Sequence, residues 1–122
     1  NVTVGGSGLS EFSEYINTGK MRAIAVTSPA RLKGSDIPTM KEQGLNVEIG
    51  NWRGVYGAPG ITPDQRKALI DMIVKATKHA SWAEALKKND WTPALLTGAE
   101  FEKFVDDEFA SLRATMAKSG MV

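Results

Sequence analysis

The residues best able to do chemistry in this chain stand in one short stretch, Thr3-Val4-Gly5-Gly6-Ser7-Gly8-Leu9-Ser10-Glu11-Phe12. Three glycines and two serines separate the apolar run Val2-Thr3-Val4 from the start of a helical pattern. Such a loop feeds free backbone N–H groups into a helix N-terminus, where the positive end of the helix dipole favours carboxylate or phosphate. At the carboxyl end of a strand it would also stand where open α/β sheets place ligands. The alternative is an ordinary turn, with Ser7 or Ser10 capping the helix and the glycines making the bend. The phosphate fingerprints are absent. GxGxxG read from Gly6 needs glycine where Glu11 stands, and Gly19-Lys20 is followed by Met21, with Glu14 five positions before Gly19.

Other chemistries find little support. The single histidine, His79, lies near a helix end in Lys-Ala-Thr-Lys-His-Ala-Ser-Trp, where it reads as solvated or as stabilising the helix C-terminus rather than as catalytic. Without cysteine, and with one histidine, zinc lacks its usual ligands. Asp106, Asp107 and Glu108 occupy consecutive helical positions and fan out around the axis, as a solvated face does. Glu11 and Glu14 read as first-turn acids that complement the helix dipole. No metal, no cofactor and no enzymatic activity is called for.

The elements that would position the loop follow from spacing and stop signals. Val2-Thr3-Val4 reads as a buried strand. Leu9, Phe12, Tyr15 and Ile16 form a helical stripe that Gly19 ends. Met21 to Ser28 reads as a second strand, so the first 27 or so residues predict a βαβ unit with a right-handed crossover. Thr39-Met40-Lys41-Glu42 is a capping box that opens a short helix stopped at Gly44. The stretch from Asn46 to Gly60 is extended, and too long and glycine-broken for one strand of a small sheet. Thr62-Pro63-Asp64-Gln65 starts a helix with an N-cap, a proline at the first position and a capping glutamine. Ser81-Trp82-Ala83-Glu84 repeats the capping pattern. Thr97-Gly98-Ala99-Glu100 caps a last helix with the stripe Phe101, Phe104, Val105, Phe109, Leu112 and Met116, ended by Gly120. The fold class is α/β.

At 122 residues and 42% hydrophobic, the chain has the size of one ordinary domain. No apolar run is long enough for a transmembrane helix, and no signal peptide is visible at Asn1. Fifteen scattered basic residues against 14 acidic ones leave a net charge of +1, so nucleic acid is not an expected partner.

Three ordered segments carry a resemblance: Asn17 to Arg31, Asp36 to Gly44, and Asn51 to Pro63. They contain Gly19-Lys20-Met21-Arg22, Asp36-Ile37-Pro38-Thr39 with Glu42 and Gly44, then Trp52-Arg53-Gly54, Ala58-Pro59 and Thr62-Pro63. The chain resembles, over essentially its whole length, the Bug-type solute-binding receptors of the tripartite tricarboxylate transporter system. Phe101, Phe104 and Glu108 look like part of that family's closing helix.

The resemblance implies a two-lobe fold like that of periplasmic binding proteins, of which this chain would be the C-terminal portion. Residues 1–50 would belong to the second ligand-binding lobe. Residues 51–122 would supply the crossover strand and the C-terminal part of the first lobe. It also implies a periplasmic receptor that holds a small carboxylate, a di- or tricarboxylate or an acidic amino acid, and passes it to a membrane permease. Gly5, Gly6, Ser7, Gly8 and Ser10 would then contribute to the ligand cleft. Trp52 can cover a ligand or pack at the hinge, while Trp82 and Trp91 read as packing residues. Arg53 and Arg22 can pair bidentately with a carboxylate, but Arg22 stands at the start of its strand, the wrong end for a cleft. Lobes lacking part of their sheets would leave apolar faces uncovered, so self-association is expected. The alternative reading is a small α/β domain that binds a phosphorylated metabolite at Gly5–Gly8.

Overall fold

The structure is a computed structural model and describes residues 2–122; Asn1 lies outside the described residues. Four α-helices follow in order: α1 (Leu9–Asn17), α2 (Pro63–Thr77), α3 (Ala80–Lys88) and α4 (Gly98–Lys118), with a 3₁₀ turn at Lys41–Gln43. The chain divides into two units, Asn1–Val55 with Lys87–Trp91, and Tyr56–Leu86 with Thr92–Val122.

Local signals set the helix ends. Thr62 accepts from the Gln65 N–H at 3.2 Å while the Gln65 side chain accepts from the Thr62 N–H at 2.9 Å, and Pro63 opens α2. Thr39 and Glu42 make the same reciprocal pair, at 3.1 and 2.7 Å. Helix α1 closes with Gly19 at φ +72°, where the Lys20 and Gly19 N–H groups donate to Tyr15 and Ile16 carbonyls at 2.9 and 3.1 Å. That double closure needs a left-handed residue, which glycine adopts without steric cost. Gly120 closes α4 in the same way, at φ +75°.

Two expected caps differ. Helix α3 begins at Ala80, ahead of Ser81, because the His79 ring takes the capping role: its Nδ1 accepts from the Ser81 N–H at 3.3 Å. His79 therefore organises a helix start, a role its position at the end of α2 does not suggest. Thr97 does precede α4, but its side chain makes no capping hydrogen bond. Gly98, at φ +58°, turns the backbone there instead.

The predicted βαβ unit is not found. The structure is 47% helical with 2% strand. Val2 and Val4 are 85% and 72% exposed, not buried, and belong to no strand. An extended segment becomes a strand only when a neighbour completes its ladder, and no described residue pairs with Val2-Thr3-Val4. The second predicted strand does find a partner, but downstream: Val26 and Thr39 form a single parallel bridge. There the Val26 N–H donates to Pro38 at 2.9 Å and the Met40 N–H to Val26 at 2.9 Å. Ile49 joins beside it, with its N–H on the Thr27 carbonyl at 3.1 Å.

Thr39, at 2% exposure, is the one buried residue among those described, and no apolar side chain is buried. Around it, the Arg31 guanidinium reaches both Glu42 carboxylate oxygens at 2.9 and 3.1 Å and the Asp36 carbonyl at 3.3 Å. In the second unit the Arg66–Glu102 ion pair and the tilted Tyr56–Phe101 ring pair, 5.7 Å between centroids, hold the first turns of α4. Trp82 and Trp91 are half-exposed rather than packed inside.

Candidate functional site

The glycine-rich loop leads into α1 as the sequence predicts, but its first helical turn is closed from within. Gly8 is the N-cap, with an extended backbone, and neither Ser7 nor Ser10 caps the helix by itself. The Glu11 carboxylate turns back over the loop, accepting from the Gly8 N–H at 3.0 Å and from the Ser7 hydroxyl. The Ser7 hydroxyl foremost, then the Gly8 N–H and more weakly the charge of Arg53, hold the Glu11 carboxyl below its ordinary value. Glu11 is thus more than a first-turn acid. The Gly8-x-x-Glu11 spacing, a glycine N-cap with an acid three residues on, is the signal that reveals it.

A second segment stands beside the loop. The Asn51 side-chain amide lies 3.8 Å from where a Cβ on Gly8 would sit. Arg53 Nη1 donates to the Asn51 side-chain oxygen at 2.6 Å and to the carbonyls of Asn51 and Trp52 at 3.2 Å each. The guanidinium is therefore folded onto its own segment, close enough to lend charge to Glu11. Trp52, between them, is half-buried.

The remaining predicted residues are less engaged. Gly5 backs onto Phe12, whose ring lies 3.5 Å from a Cβ placed there. Gly6 has open space on that side and no left-handed φ, so its place in the loop rests on neither strain nor crowding. Ser10 is exposed on the first turn of α1. Ser7, Gly8 and Asn51 are brought together within one unit, with Trp52 and Arg53 on the adjoining segment. Asn51 was not singled out by its residue type; only its adjacency to Trp52 and Arg53 pointed to it.

Chemically, the cluster offers backbone and hydroxyl donors, one amide and one guanidinium, groups suited to holding an anion. Comparison with known families gives the class: the chain is a solute-binding receptor. The matching family is the tripartite tricarboxylate transporter family receptor, over residues 3–121, and the chain belongs to it. Members are periplasmic substrate-binding receptors, not enzymes, that work with membrane components of the transporter. No curated protein and no solved structure gave a match. No helix among the described residues is long and apolar enough to cross a membrane.

Proposed function

We propose that this chain captures a small carboxylate in the periplasm, a di- or tricarboxylate or an acidic amino acid, and delivers it to the permease of a tripartite tricarboxylate transporter. The proposed contacts are Gly5, Gly6, Ser7, Gly8 and Ser10 with Trp52, joined by Asn51 and Arg53. One observation carries the reading: the Ser7 hydroxyl and the Gly8 N–H already hold a carboxylate, that of Glu11, so their geometry suits the group. A solute carboxylate at the same donors displaces the Glu11 side chain, and Arg53 is near enough to pair with either.

The test is a thermal-shift screen of the receptor carrying this sequence, with dicarboxylates, citrate-like acids, acidic amino acids and inorganic phosphate. A true ligand at a hundred times its dissociation constant adds about 2.7 kcal/mol of stability. Stabilisation by carboxylates supports the reading. Stabilisation by phosphate alone favours a phosphorylated metabolite, and no response to any probe removes the loop from consideration. Self-association belongs to the same reading, since no apolar side chain is fully buried among the described residues.

A further inference from the structure

The Asn51–Arg53 segment stands beside the glycine loop, and a short chain of hydrogen bonds within the same unit leads to it. Thr39, the one buried residue among those described, anchors that chain. Its neighbours Pro38 and Met40 bracket Val26, each through one backbone bond at 2.9 Å. The next residue, Thr27, meets Ile49 twice. Its carbonyl accepts from the Ile49 N–H at 3.1 Å, and its hydroxyl donates to the Ile49 carbonyl at 2.8 Å. Ser28 then turns its hydroxyl onto the Ala30 carbonyl at 2.7 Å, and Pro29 has no N–H to offer. The donor to the Ile49 carbonyl is thus a side chain, not the backbone. Asn51 follows Ile49 by two residues, within about 7 Å along the chain. Its side-chain oxygen accepts from Arg53 Nη1 at 2.6 Å, which turns the amide so that Nδ2, its donor end, faces Gly8.

We propose that Thr27 is a positioning residue of the solute site: its hydroxyl holds Ile49, and through Ile49 it sets the Asn51 amide and the Arg53 guanidinium beside Ser7 and Gly8. The inference rests on the solute-binding role proposed above for that loop. Other ties of the segment lie further back along the chain. The Leu45 N–H donates to the Met40 carbonyl at 3.0 Å, and Lys41 pairs with Glu48. That ion pair is exposed at both ends and contributes little. Thr27 holds the segment nearer the site, and at two points. The Ile49 N–H bond survives any side-chain change at Thr27, so without the hydroxyl the segment stays paired but can turn about that one bond. Such a turn carries Asn51 and Arg53 with it, and donors displaced by about 1 Å no longer meet a bound group at hydrogen-bond distance.

The receptor carrying this sequence is titrated calorimetrically with succinate, citrate and glutamate, and the tightest binder of the three is the probe. Thr27→Val keeps the β-branched shape and removes the hydroxyl, whereas Thr27→Ser keeps the hydroxyl. Thr27→Val should weaken binding about fivefold, the worth of one hydrogen bond, and Thr27→Ser should bind within about twofold of the parent. Thr27→Ala is the second variant if Thr27→Val melts early. In a receptor already carrying Asn51→Ala and Arg53→Ala, which itself binds more weakly, Thr27→Val should add no further loss, because the side chains it positions are gone. A role in stability alone weakens binding equally in both backgrounds. A readout without solute is the nuclear Overhauser contact between the Asn51 side-chain amide and the Gly8 α-protons, which should fade in Thr27→Val and return in Thr27→Ser. Full affinity in Thr27→Val, equal losses in the two backgrounds, or an undiminished amide contact overturns the positioning role and leaves the site standing. Unchanged affinity in the Asn51→Ala, Arg53→Ala receptor, or a parent that binds none of the three acids, overturns the reading of the site and this inference with it.

Discussion

Replacing Gly6 by valine separates a binding loop from a turn. No heavy atom lies within 4 Å of where the new Cβ would sit, and Gly6 is not in the left-handed region. The side chain is thus accommodated in the unliganded loop, and surface changes of this kind stay within about 0.5 kcal/mol. The melting temperature should accordingly move by no more than about 3 °C. A solute held through the loop N–H groups meets a different surface. Two methyls beside the donors keep it from close approach, and losing one hydrogen bond to a charged group costs about 1.5–3 kcal/mol. That corresponds to a loss of affinity of roughly ten- to a hundredfold. Isothermal calorimetry on the receptor with the best carboxylate from the screen reads the affinity, and a thermal melt of each protein is the control. Unchanged affinity in a normally melting Gly6→Val receptor refutes the argument, and so does a variant that binds weakly only because it unfolds.

Three further changes test the packing around the site. Thr62→Ala removes the hydroxyl that accepts from the Gln65 N–H and should cost about 1 kcal/mol in urea unfolding, whereas Thr97→Ala, at a cap without that bond, should cost under about 0.5 kcal/mol. Gly57→Val should change stability by no more than about 0.5 kcal/mol in the same assay, because the atom 2.8 Å from its Cβ is the terminal Cδ1 methyl of Ile61, which can swing aside, and solute affinity should stay the same. Glu42 is held below its ordinary value of 4.5, first by the Thr39 N–H and, more weakly, by Arg31. A lowered folded value means a contribution that is complete above 4.5 and lost as pH falls through the folded value. Unfolding of Glu42→Gln, compared at about pH 7 and about pH 3, should therefore show a smaller acid loss than the parent.

Helix ends were readable because their causes are local. The Thr62 to Gln65 box and the Gly19 and Gly120 closures each involve residues within a few positions of one another, so sequence order already carries the geometry. His79 in place of Ser81 marks the limit of that logic: an imidazole acceptor does the work of a hydroxyl one residue ahead of the helix. Strands were not readable in the same way. Val2-Thr3-Val4 and Ala23-Ile24-Ala25-Val26 have equally apolar, partly β-branched sequences, yet only the second meets a neighbour, at Thr39. Pairing is a property of two segments, and composition reports only one of them. In the loop, residue types announced the anion-binding donors but not that Glu11 accepts from them; that follows from a helical register, not from the glycines.

The uncovered apolar surface bears on the site itself. Apolar side chains such as Phe12, Ile16, Ile70 and Phe101 are half-buried and none among the described residues is fully buried, so neither unit has a dry core. Short-range closures add to that partial burial: the Thr39–Glu42–Arg31 knot, the capped start of α2 and the Arg66–Glu102 pair. Each fixes a turn or joins two elements, and each exposed ion pair contributes little. The loop at Gly5–Ser10 is then only as fixed as α1, a nine-residue helix closed by Glu11 at one end and Gly19 at the other. Such a short helix is marginal without packing on its apolar side. Packing on the apolar side of α1 would therefore also order the loop, and a solute that selects the ordered loop gains affinity in proportion to its population. Packing on α1 and binding the solute would then be linked equilibria, and strengthening the first should strengthen the second by the same factor that the second returns to the first.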